Sequence, residues 1–101
     1  MGTHNLGMEI NTTVEKKFKK LFRDQQKHDL AHYGDQDGYN GSWSTIPGVR
    51  IVSDPFPERK HWTAKKKRDV MEWIYDHTEK WESAKAVKTN KSYLVGGWAV
   101  S

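Results

Sequence analysis

The chain has no cysteine among its 101 residues. That absence excludes a disulfide framework, a thiolate metal site and a cysteine nucleophile. Secreted domains of this size commonly need such staples, so a reducing compartment, the cytoplasm, is the expected location. No apolar run approaches the roughly 18–20 residues that span a bilayer, and no signal-peptide pattern opens the chain. The sequons at Asn11-Thr12-Thr13 and Asn40-Gly41-Ser42 are therefore expected to carry no sugar. There is no Gly-x-Ser-x-Gly elbow for a nucleophilic serine and no Gly-x-x-x-x-Gly-Lys-Ser/Thr loop for a nucleotide phosphate. Internal repeats and low-complexity stretches are missing too.

What is present describes one small folded domain. A chain of this length buries roughly 60–65% of its unfolded surface, enough for one modest core. Charged residues reach 30%, but five Trp, four Tyr and three Phe are too many for a disordered chain. Lys plus Arg number 17 against 13 Asp plus Glu, a net charge of +4. That balance suits a nucleic-acid or acidic partner, and equally plain solubility. Residues 1–7, ahead of a second methionine at Met8, read as a leader outside the fold, leaving residues 8–101 as a single domain.

Thr12-Thr13-Val14-Glu15 has the form of a capping box and predicts a helix from about Thr13 to near Leu30. Val14, Phe18, Leu21, Phe22 and Gln25 share its apolar face, and Lys16, Lys17, Lys19, Lys20, Arg23 and Lys27 the other. The stretches Tyr39 to Ile46 and Val49 to Ser53, joined by Pro47-Gly48, predict a β-hairpin. A second helix is expected to start at Thr63, with Val70, Met71, Ile74, Thr78 and Trp81 on one face. Its charge order opposes the helix macrodipole, since Lys65, Lys66, Lys67 and Arg68 come first and acids follow. Ala84 to Thr89 and Ser92 to Val100, around Asn90-Lys91, predict a second hairpin. The last strand is apolar on both faces, so it should be central or covered on both faces, and Gly96-Gly97 should mark a bulge or a close approach of another backbone. The expected fold is α+β, in the order α-β-β-α-β-β, with a mainly antiparallel four-stranded sheet and both helices packed on one face.

Few residue clusters suggest chemistry. His28-Asp29-Leu30-Ala31-His32 superficially resembles a zinc-protease helix, but its acid is short and no third ligand is evident; a surface histidine pair is the plainer reading. Asp35, Asp37 and Asn40 near Gly38 suggest a calcium loop, but position twelve is Ile46 rather than Glu, so a turn-rich loop fits better. No metal, cofactor or catalytic set is assigned.

The basic clusters are the most suggestive feature. Lys16, Lys20 and Arg23 lie on the first helix, and Lys65, Lys66, Lys67 and Arg68 open the second, beside Trp62. Lysine next to an exposed aromatic suits phosphate attraction and base stacking. The bland alternative is a solvated helix face. Trp43, Trp81 and Trp98 are expected in the core, and Trp62 and Trp73 on a recognition surface.

His32-Tyr33-Gly34, Gly38-Tyr39-Asn40-Gly41-Ser42, Glu79-Lys80-Trp81-x-x-Ala84-x-Ala86-Val87 and Val95-Gly96-Gly97-Trp98-Ala99 together resemble small uncharacterised accessory proteins of tailed bacteriophages. The resemblance covers about the C-terminal two-thirds and carries no catalytic residue. It implies a protein made in the bacterial host cytoplasm that binds a host macromolecule. The expected function is therefore binding rather than catalysis, with a host protein as partner through Trp62, Trp73, Asp35, Asp37 and Tyr39. The alternative partner is nucleic acid, held by the basic helix faces.

Overall fold

A computed structural model of the chain describes residues 3–33, 43–79 and 81–100. The elements in order are β1 (Thr3–Ile10), α1 (Glu15–Tyr33), a single 3-10 turn (Trp43–Thr45), β2 (Val49–Val52), α2 (Ala64–Asp76), β3 (Ala84–Lys88) and β4 (Tyr93–Val100). The four strands form one sheet in the order β1-β4-β3-β2. Both β1–β4 and β4–β3 are antiparallel, while β3–β2 is parallel. The fold is α+β with a mostly antiparallel sheet, as expected.

The expected element order needs correction at both strands outside the C-terminal hairpin. Residues 3–7, set aside as part of a leader, belong to β1, which pairs with β4 from Thr3↔Val100 to Ile10↔Tyr93. Leu6, Met8 and Ile10 point to one side and pack on the core. This alternation is the ordinary signature of a half-buried strand. The first expected hairpin does not form. Trp43–Thr45 curls into a 3-10 turn because α1 captures its backbone: Asp29 Oδ2 accepts the Trp43 N–H at 3.0 Å. Gln26 Nε2 donates to the carbonyls of Trp43 at 3.1 Å and Ile46 at 2.7 Å. β2 then joins β3 through α2, and a parallel pair needs such a crossover. The residues from 39 to 42 in that expected hairpin lie outside the described residues.

The two helices cover opposite faces of the sheet, not one. Phe18 and Phe22 of α1 pack with Ala84, Ala86, Tyr93 and Val95. Phe18 stacks on Tyr93 with ring centroids 4.3 Å apart. Val70 and Ile74 of α2 pack with Val87 and Leu94 on the other side. Strand residues alternate between faces, and β4 is apolar in both sets, so each helix finds its own apolar surface. β4 is central and covered on both sides, as its sequence predicts. Gly96 and Gly97 serve one face each: a Cβ at Gly96 would lie 2.9 Å from Met71 Cε and one at Gly97 3.2 Å from Ala84 Cβ.

Thr63 caps α2, its hydroxyl accepting the Lys66 N–H at 3.1 Å. Thr12 caps the approach to α1 by accepting the Val14 N–H at 3.2 Å, while Glu15 turns instead toward Lys19 at 3.7 Å. The β3–β4 turn closes on the Thr89 N–H, which donates to the Ser92 carbonyl at 2.7 Å. α2 ends at Asp76 with His77 as C-cap, so Trp81 falls beyond the helix and is 51% exposed rather than core. Trp43 is buried, and Trp98 is half-buried with Nε1 donating to the Tyr75 carbonyl at 2.9 Å.

Candidate nucleic-acid interface

The orientation of α1 sets its outward surface. Its buried side runs through Phe18, Phe22 and Asp29, with Gln25 and Gln26 half-buried. Val14 and Leu21, expected on the core face, are exposed. The buried stripe is thus rotated toward the polar residues Gln25, Gln26 and Asp29, of which Gln26 and Asp29 bond to groups outside the helix. Gln25 Nε2 donates to Asp29 Oδ1 at 2.9 Å, and Asp29 and Gln26 hold the 3-10 turn. Trp43 completes the joint by meeting Phe22 edge-on at 5.5 Å.

Opposite that stripe stand Lys16, Lys20, Arg23 and Lys27, all exposed. Their spacing of four, three and four keeps them in one row about 16 Å long at 1.5 Å per residue. Lys20 meets Asp24 at 3.0 Å, an exposed pair of the kind that holds weakly. No ion pair among the described residues engages Lys16, Arg23 or Lys27. An open groove of about 690 Å³ runs between Val14, Lys16, Lys19, Lys20 and Arg23.

The second expected basic patch behaves differently. Lys66 is 2% exposed; its Nζ donates to Asp54 Oδ2 at 2.7 Å and to the Arg59 carbonyl, and sits 3.9 Å over the Trp62 ring. Lys67 is held by Glu9 at 2.9 Å, and Arg59 engages Asp69 at 2.7 Å. Only Lys65 and Arg68 of that run remain exposed. This patch lies across the sheet from α1, so the two basic clusters do not merge. The reversed charge order along α2 is largely answered by these pairs, and by Lys85, which caps the helix end by donating to the His77 carbonyl at 2.6 Å.

The expected recognition tryptophans are only half-exposed. Trp62 and Trp73 both pack against the α2 core cluster. Trp62 has Lys66 on its face, and Trp73 stacks on His77 at 4.3 Å. The structure does not bring them into one open surface with α1. Asp35, Asp37 and Tyr39 lie outside the described residues, as does the side chain of His32. Trp81, expected in the core, is instead an exposed aromatic. Its φ of 72° is rare for a bulky residue, and no local sequence signal announces it.

One hydroxyl has the surroundings of an activated nucleophile. Ser92 Oγ donates to Glu9 Oε2 at 2.5 Å, with Lys67 on the same oxygen. These two bonds hold the Glu9 carboxyl below its ordinary range. Ser92 is fully buried and also bonded to Thr89 at 2.7 Å, so no substrate reaches it and the cluster is a brace. Among the described residues no three His, Asp or Glu side chains assemble as a metal site, and no helix is long and apolar enough to cross a membrane. Comparison of the chain with protein-family models, curated proteins and solved structures finds no match.

Proposed function

We propose that the protein is a non-enzymatic binding protein whose partner is nucleic acid, engaged through its phosphates by the outward face of α1. The observation that carries this reading is the row Lys16, Lys20, Arg23 and Lys27, exposed on the side of the helix opposite its core contacts. A row of cations on a rigid helix suits a line of backbone phosphates, and each contact releases condensed counterions. The resemblance to phage accessory proteins supports a setting in the bacterial host cytoplasm.

The test is binding of a labelled oligonucleotide followed by anisotropy. Four phosphate contacts weaken affinity on the order of a hundredfold between about 50 and 200 mM salt. The triple substitution of Lys16, Arg23 and Lys27 to alanine abolishes most of that binding, while Lys65→Ala with Arg68→Ala leaves it nearly unchanged. Salt-insensitive binding, or equal loss from both variants, removes this reading.

A second reading, a host protein as partner, is favoured by Trp81. An exposed tryptophan held at positive φ is a suitable interface anchor. Affinity capture from host extract with wild-type protein and with Trp81→Ala separates it from the first. A host protein retained only by the wild type supports this second reading.

A further inference from the structure

Beyond the groove on its outer face, α1 borders a second concavity of about 360 Å³ where its C-terminal half meets the 3-10 turn. Arg23 and Lys27 stand on the helix side, and Leu30 and Pro47 contribute exposed apolar surface. Leu30 is 48% exposed. No acidic side chain is among its described lining residues. The walls are fixed in advance, because Gln26 ties the helix to both carbonyls of the turn and Asp29 holds the Trp43 N–H. A preformed wall avoids much of the ordering cost of binding.

We infer that this cleft takes one unpaired nucleobase, so that the protein prefers single-stranded over double-stranded nucleic acid; the inference rests on the phosphate-binding reading of α1. Arg23 and Lys27 belong to the cationic row and also border the cleft, so a backbone lying on them places its next base beside Leu30 and Pro47. The flat apolar face of a base fits that floor. In a duplex this face is stacked on its neighbours and cannot be offered, whereas a single strand splays its bases outward. The cationic rim of Arg23 and Lys27 matches the charge of the strand.

The experiment compares a labelled oligothymidylate of about twelve nucleotides with a duplex of equal length at one ionic strength. It uses the wild type and Leu30→Gln, a neutral substitution at an exposed position that keeps helix propensity. The expected result is a single-strand preference of roughly fivefold or more, lost in Leu30→Gln while duplex affinity is unchanged. Circular dichroism matching the wild type shows that the variant is folded. Equal affinity for strand and duplex, or a preference untouched by Leu30→Gln, overturns this inference and leaves the phosphate reading standing. Binding to neither overturns both.

Discussion

Lys66 and Asp54, twelve residues apart, meet at 2.7 Å between Nζ and Oδ2, with the lysine side chain only 2% exposed. Asp54 also accepts the Phe56 N–H through Oδ1 at 2.8 Å, so a single carboxylate shapes the loop after β2 and anchors it to α2. The ammonium lies over Trp62 and is bonded to the Arg59 carbonyl as well. A lysine that reads as part of a basic cluster is thus an internal brace.

Asp54→Asn isolates the charge in this brace. The amide keeps an oxygen for the Phe56 N–H but leaves the buried ammonium without its counter-ion. Removing one partner of a buried pair costs about 3–5 kcal/mol, and the quarter-exposed Asp54 lowers the expectation to about 2–4 kcal/mol. Urea unfolding measures it, and Lys66→Met should be milder because it leaves no buried charge behind.

Gly7 and Gly96 face each other across β1 and β4, beneath α2. A Cβ at Gly96 would lie 2.9 Å from Met71 Cε, 3.0 Å from the Tyr75 ring and 3.1 Å from Ile74 Cγ2. Overpacking of this kind costs about 1–3 kcal/mol, so Gly96→Ala should lower the thermal midpoint clearly. Gly7→Ala should be gentler, because the nearest atoms, Tyr75 Oη and Met71 Cε, are the far ends of side chains. A larger loss at Gly7 would mean that α2 cannot yield there.

Acid sensitivity should centre on Glu9. Ser92, and after it Lys67, lower its carboxyl below the ordinary 4.5. A depressed folded value means that the stabilisation is complete above the unfolded value and lost as pH falls through the folded one. Glu9→Gln should therefore be less stable than wild type at pH 7, and the difference should shrink in thermal melts between about pH 5 and pH 3. Asp69, held by Arg59, and Glu82, held by the Glu79 N–H, shift in the same direction. Tyr75 acts at the other end: burial raises its phenol above 10.0, so its contribution is lost as pH rises beyond that value.

The cationic row on α1 should be nearly silent in stability. Lys16→Ala and Arg23→Ala remove no ion pair among the described residues, so each should change unfolding free energy by less than about 0.5 kcal/mol. In oligonucleotide binding, each should instead reduce the logarithmic salt slope by about one. The same substitutions therefore separate a binding surface from a merely solvated helix face.

Neighbouring residues were enough to place the Thr63 cap, the Asn90-Lys91 turn, the two-faced β4 and the α+β class. Caps, turns and alternation are interactions within a few residues, and they leave a periodic or positional trace. The basic row on α1 was legible for the same reason. The rotation of α1, the opposite placement of the helices, the strand role of residues 3–10 and the burial of Lys66 left no such trace. Each depends on partners far away in the chain: Asp29 on Trp43, Glu9 on Ser92 and Lys67, Lys66 on Asp54. A polar side chain looks solvated until folding delivers the group that bonds it. That is why the second basic patch read as surface, and why only the packed chain shows which lysines are free to meet a partner.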